Sequence, residues 1–275
     1  MEYRRILTIQ DISCVGQCSM TVALPILSAC GHEVCILPAA LLSTHTGGFG
    51  KPAVEKLGSW MEETVSHWRE NEITFDLIYV GYLGSLEAVR IAEQIMDTML
   101  APGGITVVDP AMADHGKCYS GLTEEYCEAM FQLCRKADVM IPNVTEAAMM
   151  AQLPYREQLD EGYIRNLLEN LPAKDVLLTG VGFAPGETGF AVRTGEKVQF
   201  FAHPKIPQNY SGTGDIFASA FCGALAAGKP MVRAAEIASA FTLRSIQNTF
   251  DNPAHWYGVK FETALPELIG MISSD

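Results

Sequence analysis

At 275 residues the chain is long enough to bury a sizeable core, as one large α/β domain or two smaller ones. Its 48% hydrophobic and 19% charged residues suit a water-soluble globular protein, and the formal net charge of −13 argues against a non-specific nucleic-acid or anionic-membrane surface. No apolar run reaches the roughly 20 residues that span a bilayer. Gln10 and Asp11 break the first apolar run before it can serve as a signal-peptide core, so a cytoplasmic protein is expected.

In chain order, Arg5 to Gln10 reads as a strand ending at Asp11, followed by a small-residue turn at Gly16 and a helix from Met20 to Cys30 that Gly31 stops. Val34 to Pro38 is a second strand, which makes a βαβ opening whose strand end at Asp11 faces a ligand crevice. Leu41 to Gly50 is polar and Gly-rich and reads as an exposed loop. The spacing of Val54, Leu57, Met61, Val65 and Trp68 predicts a helix over 54–71, with Trp60 at the edge of its apolar face. Asp76 to Gly81 is a strand, and Ser85 is placed to cap a helix that runs through Leu100.

Ile105 to Asp109 is a buried strand that enters a loop over Ala111 to Gly121. A helix over Thr123 to Arg135 and a strand over Val139 to Ile141 follow. Asn143 and Glu146 have the N-cap and N3 spacing of a capping box. A helix over Tyr163 to Leu171 precedes a strand from Val176 to Thr179, and Phe190 to Arg193 with Val198 to Phe201 reads as a hairpin about Thr194-Gly195-Glu196. Helices over Met231 to Gln247 and Thr263 to Ile272 close the chain. Strands and helices alternate almost throughout, with no linker or repeat. The expected fold is a doubly wound, mostly parallel central sheet flanked by helices, in a single domain over 1–275.

The eight cysteines include no C-x-x-C pair, and Cys14 and Cys18 lack a second ligand pair for zinc. Cys30, Cys35, Cys127, Cys134 and Cys222 fall in apolar or helical contexts, where a reduced thiol packs as a small hydrophobe. Cys118 differs in lying in a polar loop.

Chemistry is expected at Tyr210-Ser211-Gly212-Thr213-Gly214-Asp215, a Gly-rich turn that opens an apolar helix over Phe217 to Ala227. The first N–H groups of a helix lack internal partners and carry the positive end of its dipole, so the backbone at Gly212 to Gly214 suits phosphate oxygens. A carboxylate at Asp215 repels phosphate but can take a proton from an attacking hydroxyl. The tetrapeptide alone favours an ordinary Gly-rich turn with Asp215 as a first-turn helix residue.

Several strand-end signals recur in order: Asp11, the Ser43-Thr44-His45-Thr46-Gly47 loop, Gly81-Tyr82-Leu83-Gly84-Ser85, Asp109-Pro110, Asn143/Glu146, Thr179-Gly180 and Gly212 to Asp215. Together they resemble the ribokinase-like small-molecule kinases, and within them the pyridoxal/pyridoxamine kinases, over essentially the whole chain. There is no G-x-x-x-x-G-K-[ST] loop. The resemblance implies ATP-dependent phosphorylation of the 5′-hydroxymethyl group of pyridoxal, pyridoxine or pyridoxamine, with Asp215 as base and Gly212, Thr213 and Gly214 as the anion hole. It puts Asp11, Ser13, His45, Thr46 and Tyr82 around the substrate ring. It puts Asp109, Asn143, Glu146, Thr179 and Gly180 at the ATP, and Asp114 with Glu146 at Mg2+ or a monovalent cation such as K+. Alone, these carboxylates read as loop or capping residues. Asp11 stands where many such kinases carry Ser, and a carboxylate there can pair with a protonated ring nitrogen. The Asp114 to Gly121 segment could close over the nucleotide, and Cys118 reads as a plain loop thiol rather than one that approaches an aldehyde substrate. A homodimer is implied, with the Trp60/Trp68 helix or the hairpin as contact surface. The rivals are a hydroxymethylpyrimidine (phosphate) kinase, whose members commonly carry Cys at the position of Asp215, a sugar or nucleoside kinase of the superfamily, against which the His45-Thr46 loop argues, and a catalytically silent pyridoxal-binding protein.

Overall fold

The structure is a computed structural model that describes residues 3–274. The chain runs through β1 (Arg5–Ser13), α1 (Met20–Ala29), β2 (Glu33–Leu42), β3 (Val54–Lys56), α2 (Gly58–Glu70), β4 (Phe75–Val80), α3 (Leu86–Thr98) and β5 (Leu100–Val108). The short strands β6 (Ala113–Asp114) and β7 (Lys117–Cys118) follow, then α4 (Glu124–Lys136), β8 (Val139–Met140), α5 (Val144–Met150), α6 (Glu161–Glu169) and β9 (Asp175–Thr179). The strands β10 (Glu187–Thr194) and β11 (Lys197–Pro204) precede α7 (Thr213–Ala226), α8 (Met231–Phe250), a 3-10 turn at Phe261–Ala264 and α9 (Leu265–Ser273).

These elements form two compact units, residues 3–105 with 208–274 and residues 106–207, and β5 carries the chain from the first into the second. In the first unit β1 lies between β2 and β4 and is parallel to both, while β3 adds antiparallel to the edge of β2. Ile6, Leu7 and Ile9 are fully buried, as expected of a parallel strand covered on both faces. Helix α7 is apolar all round because it too is enclosed, with Ile216 to Ala224 buried. In the second unit β8 is parallel to the end of β5 and to β9, and β10 continues antiparallel to β9 and β11. The strands are mostly parallel and alternate with helices, which is the doubly wound α/β arrangement that the sequence pattern leads one to expect. No helix among the described residues is long and apolar enough to cross a membrane.

Among the boundaries that differ from expectation, three change the elements themselves. Residues 54–56 are a strand, because Val54, Glu55 and Lys56 pair with Leu42, Leu41 and Ala40; the apolar spacing is helical only from Gly58 onward. Trp60 is 46% exposed, whereas Trp68 packs edge-on against Phe75 at 5.5 Å. Leu100 opens β5 instead of ending α3, since the helix stops at its C-cap, Met99. The loop after β5 contains the β6–β7 hairpin, with His115 and Gly116 both at positive φ, the backbone sign that a tight two-residue hairpin turn requires.

Candidate active site

In the first unit the site begins with an irregularity in β1. Gln10 pairs with Pro38 and Ile12 with Leu41, so the register slips across Asp11. Pro38 has no N–H to give the ladder, and a bulge at such a point re-aims the side chain it carries. The Asp11 N–H leaves β2 and donates to the Tyr82 carbonyl, 3.1 Å away, which ties the ends of β1 and β4 together. Its carboxyl is buried, accepts the Ser13 hydroxyl at 3.0 Å and also bonds the Ser19 hydroxyl. Burial raises its pKa, and those hydrogen bonds offset part of the rise. Tyr82 is half-buried, and burial with the nearby Asp11 raises its phenol too.

The Gly-rich turn closes against the same loop. Gly212 is the N-cap of α7 at φ +80°, and a Cβ there would run into the Gln17 carbonyl oxygen, so only glycine fits. Nothing lies within 4 Å of where a Cβ on Gly214 would sit, which leaves open space at the N-terminus of α7. Thr213 directs its hydroxyl back to the Tyr210 carbonyl at 3.4 Å. Asp215 keeps part of its surface open, yet protein surrounds its carboxyl enough that burial, with Asp11 nearby, pushes it up to about 7. The Ser19 N–H bonds that carboxyl and opposes the rise. Ser19 therefore stands between the two acids, its hydroxyl on Asp11 and its N–H on Asp215, held at φ +53°. Sequence reasoning missed it, because a Ser before a helix reads as a cap, and here its side chain makes no capping bond.

His45 is buried although its loop was expected to be exposed, and Thr46 is exposed. The Gly47 N–H donates to His45 Nδ1 at 3.0 Å, which leaves the proton on Nε2, and Nε2 donates to the Tyr257 carbonyl at 2.8 Å. Both ring nitrogens are thus engaged by the protein. The imidazole links loop 43–50 to loop 251–258, and Phe49 meets both the imidazole, at 5.0 Å, and Trp256, at 4.7 Å.

The second unit gathers the remaining candidates. The Asp109 carboxylate accepts the Ala111 N–H at 3.1 Å and supports that residue at φ +40°. Asn143 and Glu146 form the expected capping box of α5. They also hold the loop that follows β5. Glu146 Oε1 accepts the Met112 and Ala113 N–H groups at 2.8 and 3.3 Å, Glu146 Oε2 accepts the Asn143 N–H at 2.9 Å, and the Asn143 amide donates to the Ala113 carbonyl at 2.7 Å. Glu146 is fully buried, and that burial, with Asp114 nearby, pushes its carboxyl up to about 7 against those three hydrogen bonds. Asp114 is exposed on the hairpin and faces His115 at 3.6 Å. Thr179 lies beside Asn143, its N–H and hydroxyl both on the Pro142 carbonyl at 2.9 and 3.3 Å. Gly180 follows it, exposed and at φ +76°. Among the described residues no three His, Cys, Asp or Glu side chains cluster to hold a metal ion.

A mostly parallel α/β fold whose Gly-rich helix start carries a half-buried carboxylate is that of the ribokinase-like kinases. Within them, the chain belongs to the phosphomethylpyrimidine kinase family, which it matches over residues 59–259. It is 25% identical over 256 residues to the pyridoxine/pyridoxal/pyridoxamine kinase of Bordetella bronchiseptica, covering 89% of each chain. The crystal structure of pyridoxal kinase from Lactobacillus plantarum superimposes with a TM-score of 0.89 at 31% identity, over 98% of both chains. The structure of a Bacteroides thetaiotaomicron protein assigned as a phosphomethylpyrimidine kinase, in a crystal form with pyridoxal, gives 0.91 at 31% identity, over 97% of this chain and 96% of that one. Pyridoxal kinases, expected from the strand-end motifs, are thus among the relatives.

Proposed function

We propose that the protein transfers the γ-phosphoryl group of ATP to the 5′-hydroxymethyl oxygen of pyridoxal, pyridoxine or pyridoxamine. The observation that carries this reading is Asp215, a partly exposed residue whose carboxyl is raised to about 7, set in the first turn of a helix with open space beside Gly214. A base at that pKa takes the hydroxyl proton near neutrality, while Gly212, Thr213 and Gly214 hold the transferring charge. Asp11, supported by Ser13 and Ser19, faces the ring with Tyr82. His45, with both nitrogens engaged, acts by fixing the loop that carries Thr46. The relative solved with pyridoxal supports the ring as substrate.

For the nucleotide, Asp109, Asn143, Thr179 and Gly180 supply the strand-end surface. A magnesium ion would neutralise the phosphate oxygens. Asp114 offers an exposed carboxylate for it, whereas Glu146, already accepting three N–H groups, suits contact through water, and a monovalent cation such as K+ has the same oxygen donors available. None of the eight cysteines forms a disulfide, in keeping with a reducing cytoplasm. A homodimer is the proposed assembly, with the exposed Trp60 on α2 as a contact.

The test is ATP-dependent phosphorylation of the three vitamers and of hydroxymethylpyrimidine by the purified protein with magnesium and potassium. Turnover of a pyridoxal-type substrate that EDTA abolishes is expected. Turnover of the pyrimidine alone moves the protein to the function its family is named for, and vitamer binding without ATP consumption makes it a silent binder.

A further inference from the structure

The β6–β7 hairpin is held on two sides. On one, α5 fixes it: the Gly116 N–H donates to Thr145 Oγ1 at 3.0 Å, and Ala113 is bonded through both its N–H and its carbonyl to Glu146 and Asn143. On the other, Cys118 of β7 places its sulfur 3.4 Å from that of Cys127, in the first turn of α4, and 4.0 Å from the Met149 thioether. Cys118 is exposed and Cys127 half-buried, and neither is part of a disulfide. The two sulfurs are already in contact, with an oxidant able to reach one of them directly. We propose that Cys118 and Cys127 form a reversible oxidation site, whose disulfide fastens the hairpin to α4.

The chemistry balances with hydrogen peroxide as oxidant. The Cys118 thiolate attacks one peroxide oxygen, the O–O bond breaks, and hydroxide leaves a sulfenic acid. The Cys127 sulfur then attacks the Cys118 sulfur and expels water, so two thiols and one peroxide give one disulfide and two waters. The order follows from the surroundings: burial, then the adjacent Cys118, push the Cys127 thiol up to about 12, so the exposed Cys118 meets the oxidant first. A dithiol reductant reverses the reaction by exchange.

Oxidation encloses only the segment between the two cysteines, which contains the turn 119–122 and the Thr123 cap of α4. Little disulfide stabilisation comes from so short a loop, so local anchoring is the main effect. The hairpin, exposed at its Asp114 and Lys117 ends, then loses its freedom to lift away from α4. That last step, applied to turnover, rests on the proposed role of Asp114 at the magnesium ion.

The test treats the full-length protein with stoichiometric peroxide, blocks remaining thiols, and digests with a Glu-specific protease. Cuts after Glu124 or Glu125 separate Cys118 from Cys127, and a cut after Glu128 removes Cys134. The expected result is a Cys118–Cys127 cross-linked peptide that dithiothreitol resolves, absent in both Cys118→Ser and Cys127→Ser, with slowed amide hydrogen exchange over 113–118 in the oxidised form. A Cys118 that proceeds to sulfinic acid while Cys127 stays a thiol overturns the site, as does cross-linking of other cysteines. A disulfide that leaves exchange over 113–118 unchanged overturns the anchoring. A several-fold, dithiothreitol-reversible fall in kcat is expected as well. These mass and exchange readouts stand whether or not the protein phosphorylates a vitamer.

Discussion

Replacing Asp215 with Asn tests the base with little change of shape. The amide keeps an oxygen that can accept the Ser19 N–H, and it removes a carboxylate that burial and Asp11 both disfavour. What it cannot do is take a proton. Loss of a positioned general base slows a reaction by about 10²–10⁴, or roughly 3–5 kcal/mol of transition-state free energy. The proposed anion hole at Gly212 to Gly214 is untouched by the change, so residual turnover above background is expected. The wild-type carboxyl at about 7 predicts a kcat that rises as pH passes through neutrality, and the variant loses that limb. Stability moves the other way. Because the folded carboxyl is raised from 3.8 to about 7, the native state binds more protons than the unfolded chain between those values, so wild-type stability falls as pH rises across the window. Asp215→Asn lacks that loss and melts at least as high as wild type above pH 7. The assay is ADP release at saturating ATP and pyridoxal from pH 6 to 9, beside thermal melts in the same buffers. A kcat within a few-fold of wild type, with the pH limb retained, refutes the assignment.

Other substitutions separate the supporting parts. Gly212→Ala puts a Cβ against the Gln17 carbonyl at φ +80°, so it is expected to cost about 1–3 kcal/mol by urea melt and to depress kcat more than vitamer KM; wild-type behaviour in both removes the anion hole from the scheme. Glu146→Ala orphans the N–H groups of Met112, Ala113 and Asn143 in a buried position and is expected to destabilise by at least about 3 kcal/mol, which a urea midpoint near wild type contradicts. Asp11→Ser removes the carboxylate at the β1 bulge, and relative kcat/KM values for the three vitamers are expected to shift; unchanged ratios show that Asp11 does not contact the ring.

Local signals account for most of what the sequence made legible. The capping box at Asn143 and Glu146, the Ser85 cap that accepts the Ala88 N–H at 3.2 Å, and the hairpin about Gly195 are each written in neighbouring residues. Residues 54–56 were not legible as strand, because Val54, Leu57 and Met61 fit a helical stripe and only the edge of β2 decides otherwise. The burial of His45 was hidden for the same reason, since its partners are Gly47 beside it and Tyr257 more than two hundred residues later. Ser19 was hidden more deeply, because nothing in Cys18-Ser19-Met20 announces a positive φ or a hydroxyl shared with Asp11. Cys118 read as an isolated loop thiol, since the fold and not the spacing brings Cys127 within 3.4 Å of it.

A displaced pKa alone would not have singled out the base, because two carboxyls, Asp215 and Glu146, rise to about 7 and for the same leading cause, burial. Their hydrogen bonds tell them apart. Glu146 is fully buried and has both oxygens on backbone N–H groups, so protonating it disturbs α5 and the loop after β5 together. Asp215 has the Ser19 N–H as its hydrogen-bonding influence, keeps part of its surface open, and stands in the first turn of a helix with open space beside the preceding Gly214. Protonating Asp215 therefore breaks no such set of bonds between elements. A general base needs that freedom, and a structural carboxylate lacks it. On the proposed reading, the raised carboxyl at position 215 costs stability at neutral pH and in exchange supplies a proton acceptor poised near neutrality.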